Sequence, residues 1–197
     1  HDYDISASLS TVMMGLFSAV YRQRSVSLSE LRSVVRDALL SAGVNEAIEF
    51  IKSTRNIGGA LLLLVDEIGL SEASVRVEGL SLFEVFMRLG EKSPELRAVI
   101  DIDTAVRIYS IVRKCVEDGV DVNTCAVLAH LEVAKEHVRV GELREIIEKI
   151  RSTRSSVKAL RELISLDQAL RRRGVKLRWI VAPMAYSFNE LLSKGVI

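Results

Sequence analysis

The stretch Ala98-Val99-Ile100-Asp101-Ile102-Asp103-Thr104-Ala105-Val106-Arg107-Ile108-Tyr109-Ser110-Ile111-Val112-Arg113-Lys114-Cys115-Val116-Glu117-Asp118-Gly119 decides the fold class. Within it Ile100, Ala105, Ile108, Ile111, Val112 and Cys115 recur at the three- and four-residue steps of one helical face, and Gly119 stops the run. The spacing predicts a helix over 98–118.

The same periodicity extends in both directions. Downstream, Asn123 is positioned to cap a helix to His137, and a long helix runs from Gly141 to Arg173 and stops at Gly174. Val175–Val181 alternates and reads as a short extended segment ended by Pro183, before a helical turn over Ser187–Ser193. Upstream, Ser71 caps a helix reaching Leu89, with Val75, Leu82, Val85, Phe86 and Leu89 inward. Gly58–Ile68 precedes it, stopped by Gly69, and Asn45–Thr54 buries Ala47, Ile48 and Ile51. Ser27-Leu28-Ser29-Glu30 is a capping box for a helix with Leu31, Val34, Val35, Ala38 and Leu39 inward and Gly43 as its left-handed cap. A first helix over 8–22 carries Leu9, Val12, Leu16 and Val20. Only two prolines, Pro94 and Pro183, interrupt the chain. The expected architecture is therefore all-α, a compact bundle of seven to nine helices with helical hairpins. It reads as one domain made of an N-terminal half (6–93) and a C-terminal half (94–197).

Composition narrows the class. The 197 residues include 49% hydrophobic side chains, and 27 Lys and Arg stand against 26 Asp and Glu for a net charge of +1. That balance excludes intrinsic disorder and a uniformly basic protein, and two cysteines are too few for a disulfide scaffold. His1-Asp2-Tyr3-Asp4-Ile5 reads as the linker left by an expression tag. The apolar run Val12–Val20 is shorter than the roughly 20 residues a bilayer span requires, so the expectation is a soluble, cytoplasmic protein with no membrane partner. Six Asn and Gln in the whole chain suit a thermophilic source.

Val65-Asp66-Glu67-Ile68-Gly69-Leu70-Ser71-Glu72-Ala73-Ser74-Val75-Arg76 resembles the turn and recognition-helix start of helix-turn-helix DNA-binding proteins. The resemblance covers about a tenth of the chain and implies major-groove contacts by Ser71, Ala73 and Arg76. Val65 and Glu78 depart from the small and the apolar residue of that pattern, and Glu72 would repel phosphate. An ordinary glycine-terminated hairpin accounts for the same residues.

Charge is distributed unevenly. Residues 1–99 hold 10 basic and 13 acidic side chains and residues 100–197 hold 17 and 13, so the halves carry −3 and +4. Arg151, Arg154, Lys158, Arg161, Arg171, Arg172, Arg173, Lys176 and Arg178, opposed only by Glu162 and Asp167, give the 28 residues from 151 to 178 a net +7. On one continuous helix Arg151, Arg154, Lys158 and Arg161 fall within roughly 80°, beside an apolar stripe of Ile150, Val157, Leu160 and Ile164. Such a row can follow phosphates, and Trp179 can stack on an unpaired base. Alternatively, Arg171–Arg173 complement a helix dipole, the other cations pair with acids, and Trp179 is core.

Enzyme motifs are missing: the chain has no phosphate loop, nucleophile elbow or Gly-X-Gly-X-X-Gly. His130, Glu132, Glu136 and His137 match neither a zinc pair four apart nor a di-iron Glu/His pattern. Cys115 and Cys125 read as small core residues. The expectation is a non-catalytic protein without metal or cofactor, contacting nucleic acid through Arg151–Arg178 as part of a nucleoprotein complex. Alternatives are a protein-interaction scaffold or homo-oligomer, and a helix-turn-helix regulator.

Overall fold

The computed structural model describes residues 28–98, 100–138 and 141–197. The predicted helix over 8–22, with Leu9, Val12, Leu16 and Val20, and Ser27 of the predicted capping box lie outside them. The protein is all-α: the described residues form eleven α-helices and two 3-10 turns, without a strand. They fall into two compact units, the first ending at Ile102 and the second starting at Asp103.

The first unit contains α1 (Leu28–Ser41), α2 (Val44–Ile57), α3 (Ala60–Glu67), α4 (Glu72–Glu78), α5 (Leu82–Lys92) and α6 (Pro94–Ala98). Ala47, Ile48, Ile51 and Thr54 of α2 are buried at helical spacing, and Phe50 meets Phe86 of α5 at 5.3 Å between ring centroids. The helix predicted from Ser71 to Leu89 is two helices. Each begins with a reciprocal box: Ser71 with Ser74, and Ser81 with Glu84, whose carboxylate takes the Ser81 N–H at 2.7 Å. Between them Gly79 is left-handed, a conformation glycine adopts at little steric cost. Gly43 differs from its expected role as a left-handed cap. Its φ is −76°, it precedes α2, and its carbonyl accepts from Ala47. The neighbouring Ala42 carbonyl accepts the Leu82 N–H at 2.9 Å, so a tertiary bond meets the need that a glycine cap would otherwise fill.

The second unit is built around α7 (Ile102–Glu117), α8 (Val122–His137), α9 (Gly141–Thr153), α10 (Leu160–Arg172) and α11 (Val181–Ser193). Asp121 caps α8, in place of the expected Asn123, by accepting the Thr124 N–H at 2.9 Å. Half of α8 is buried, including Cys125, Leu128, Leu131 and Val133 on several sides, as in a helix enclosed by its neighbours. The predicted helix over 98–118 starts later, at Ile102, because α6 and a turn at Ile100 precede it. Its predicted stop holds: Gly119 has φ +74°. Residues 175–181 form no strand: Arg178–Ile180 is a 3-10 turn and Val181 begins α11. Pro183 begins rather than ends an element, sitting in the first turn of α11, where no N–H is needed. The Ser187 hydroxyl, fully buried on α11, lies 2.6 Å from the Ala105 carbonyl of α7 and 2.8 Å from that of Pro183.

The greatest departure is at 153–160. The predicted continuous helix over 141–173 breaks after Thr153, passes through Arg154 at φ +52°, makes a 3-10 turn at Val157–Ala159 and resumes at Leu160. Ser152 and Thr153 donate their hydroxyls to the Lys149 carbonyl at 3.0 and 2.7 Å. Hydroxyl side chains that bond nearby backbone compete with helix propagation, and four of the five residues 152–156 carry one.

Gly90 of α5 lies close against the backbone of α6. A methyl group there would meet the Arg97 Cα and Cβ, both at 3.1 Å. Crowding of this kind costs roughly 1–3 kcal/mol, against about 1 kcal/mol of helix propensity gained over glycine. Gly90→Ala should lower stability by about 1 kcal/mol and Gly90→Val by more, seen as an earlier urea midpoint at unchanged slope.

Candidate nucleic-acid interface

The break at Thr153 disperses the predicted basic row. Arg151, at the end of α9, pairs with Glu132 of α8 and with Glu148, 3.1 Å away. Glu132 is 7% exposed and also receives Lys135 at 2.7 Å, so Arg151 neutralises a nearly buried carboxylate. Removing one partner of such a group leaves a charge poorly compensated. Arg154 donates to the Asp118 carbonyl. Arg171 pairs with Asp167 at 2.8 Å. Arg161 is exposed but shares the groove between α9 and α10 with Glu142, Glu145 and Glu162. Lys149 holds the Glu162 carboxylate below its usual range by a direct hydrogen bond.

The remaining cations behave differently. Arg172, Arg173, Lys176 and Arg178 follow one another around the turn from α10 into the 3-10 helix, which Gly174 permits at φ +70°. All four are exposed, and none makes an ion pair among the described residues. Lys158, on the other 3-10 turn, is likewise exposed and without an ion pair among the described residues.

Trp179 is 8% exposed and stands edge-on to His137 of α8, centroids 4.6 Å apart. It is a core residue that anchors this turn onto α8, and it offers no face for a base. The predicted apolar stripe also divides. Ile150 is fully buried, whereas Val157, Leu160 and Ile164 are 76%, 53% and 50% exposed.

In the helix-turn-helix segment, Ala73 and Arg76 are exposed, while the Ser71 hydroxyl accepts the Ser74 N–H at 3.0 Å. α4 has only seven residues and rests on α2 through the buried Val75. Glu78, the departure from the pattern, is exposed and pairs with Arg88.

Cys115 and Cys125 form a disulfide, correcting their reading as two separate core thiols. The residues that place them together were visible. Cys115 stands four residues before Gly119 and Cys125 four after Asp121, so a tight turn between antiparallel helices brings them opposite each other, with Cα atoms 5.6 Å apart. Cys115 lines a cleft of about 610 Å³ with Lys114, Asp118, Arg151 and Arg154. Glu136 pairs with Arg107, which holds its carboxyl below the usual range. Among the described residues no group of three or more His, Cys, Asp or Glu could hold a metal ion. No described helix is long and apolar enough to cross a membrane.

Comparison with protein-family models, curated proteins and solved structures gives no match for this chain.

His130 on α8 supplies a pH test of this core. Burial lowers its pKa from 6.5, so the folded unit binds fewer protons than the unfolded chain as pH falls below that value, and stability decreases with acid. The urea midpoint should fall between pH 7.5 and pH 5.5, and His130→Gln should make that fall shallower.

Proposed function

We propose that this protein contacts the phosphate backbone of nucleic acid, without catalysis, through the basic turn of Arg172, Arg173, Lys176 and Arg178, with Lys158 as an additional contact. The observation carrying this reading is the concentration of four exposed cations, unpaired among the described residues, within seven positions. Guanidinium groups without intramolecular partners remain available for bidentate phosphate contacts. Each contact releases counterions and makes affinity fall with salt. The turn supports positioning rather than base readout, because the aromatic beside it is buried and stacking is unavailable.

The test is a salt-titrated binding measurement with single- and double-stranded oligonucleotides. On duplex DNA, each lost phosphate contact lowers the slope of log affinity against log salt by about 0.9. The Arg172→Ala/Arg173→Ala/Lys176→Ala variant should therefore lose about 2 to 3 from that slope. Arg151→Ala should leave the slope unchanged while lowering the melting temperature, because its partner Glu132 is nearly buried. An unchanged slope in the triple variant would exclude the reading.

One observation favours a second reading, a protein-interaction surface. Leu160 and Ile164, one turn apart on α10, and Val157 on the preceding 3-10 turn are exposed in a segment that also carries Lys158 and Arg161, and exposed apolar surface bordered by charge marks many contact sites. On that reading Leu160→Glu abolishes a concentration-dependent oligomer or a partner complex in sedimentation, and oligonucleotide affinity is negligible.

A further inference from the structure

We infer that Cys115–Cys125 is a thiol–disulfide exchange site, attacked at Cys115 by a dithiol reductant, and that reduction releases the segment 153–157 from the turn between α7 and α8. The two sulfurs differ in access. Cys125 is fully buried, whereas Cys115 is partly exposed and lines the cleft beside Lys114, Arg151 and Arg154. An attacking thiolate is an anion; with Arg151 paired to Glu132, Lys114 and Arg154 still outweigh Asp118 by one positive charge in this cleft, which favours its approach at the Cys115 end.

The exchange balances without any other reactant. A thiolate of the dithiol bonds to Cys115 Sγ as the Cys115–Cys125 bond breaks, and Cys125 leaves with the electron pair and takes up a proton. Its sulfur lies 3.6 Å from the Val120 carbonyl, an acceptor for the new S–H. The second thiol of the reductant then attacks its own sulfur in the mixed disulfide. Cys115 is released as a thiolate beside the cations of the cleft and takes up the second proton, and the reductant departs as a disulfide.

Coupling to the 153–157 segment follows from three contacts on the bracketed turn. Arg154 donates to the Asp118 carbonyl, the Ser156 N–H donates to Thr124 Oγ1 at 3.0 Å, and the Thr124 and Ser156 hydroxyls lie 3.2 Å apart. Arg154 is the one described non-glycine residue with positive φ. Such a conformation persists where its surroundings over-determine it, and here those surroundings belong to the turn that the disulfide closes. Once the bond is cut, the turn keeps backbone bonds such as Gly119 N–H to Val116 at 2.8 Å but loses its covalent closure.

The test compares the full-length chain oxidised and after treatment with dithiothreitol. Two thiols should become alkylatable, and a mixed disulfide trapped with a limiting monothiol should map to Cys115. Amide hydrogen exchange over 153–157 should accelerate at least about tenfold with α11 unchanged, as local opening differs from global unfolding. In the oxidised protein, Thr124→Val should accelerate exchange at Ser156 without touching the cysteines. A disulfide that resists dithiothreitol in the folded protein, or a trapped mixed disulfide that maps to Cys125, overturns the exchange site. Unchanged exchange over 153–157, equal acceleration in α11, or no effect of Thr124→Val overturns the local release.

Discussion

Leaving a helix inside a folded unit strands backbone donors and acceptors, and in the second unit the side chains of 152–156 and the α7–α8 turn take them up. Thr153 and Ser152 turn their hydroxyls back onto Lys149, Thr124 receives the Ser156 N–H, and Arg154 occupies a left-handed conformation while reaching Asp118. Everything downstream depends on this exit. The direction in which α10 starts, the groove it makes with α9 and the exposure of Val157, Leu160 and Ile164 all follow from a chain that bends there instead of continuing. An unbroken helix would have aligned four cations; the bend separates them and gives each a different environment.

Electrostatically, the segment's formal charge overstates what it presents outward. Glu132 supplies the reason. A carboxylate that is nearly buried needs compensating charge, and Arg151 and Lys135 provide it. Cations used in this way are structural, and those at Arg172–Arg178 are distinguished from them by the lack of such partners among the described residues. Sequence alone cannot separate the two kinds, because pairing depends on which acids another helix brings alongside. Trp179 shows the same limit. Its neighbours are basic in sequence, but His137 of α8 is its neighbour in space.

What was legible followed from local chemistry. The helical class, the stop at Gly119 and the burial of Ala47, Ile48 and Ile51 come from period and glycine geometry, which act over a few residues. The missed features either had weak local signals or required tertiary contacts. The hydroxyl run Ser152-Thr153-Arg154-Ser155-Ser156 was a readable warning, outweighed by the strong periodicity on either side. Gly43 was misread because the Leu82 N–H satisfies Ala42 across the unit. The pairing of Cys115 with Cys125 needed the hairpin geometry that Gly119 and Asp121 together imply.

The buried Ser187 hydroxyl has a bearing on how the second unit is made. Its bond to Ala105 joins α11 to α7 across 82 residues of chain, so the first helix of the unit lacks this neighbour until the last has been synthesised. Contacts of such separation form late and slow folding, and domains emerging from the ribosome tend to fold as units. The Ala105 carbonyl of α7 therefore gains its Ser187 partner only after α11 has been made, so this buried bond belongs to the closing stage of the unit's assembly.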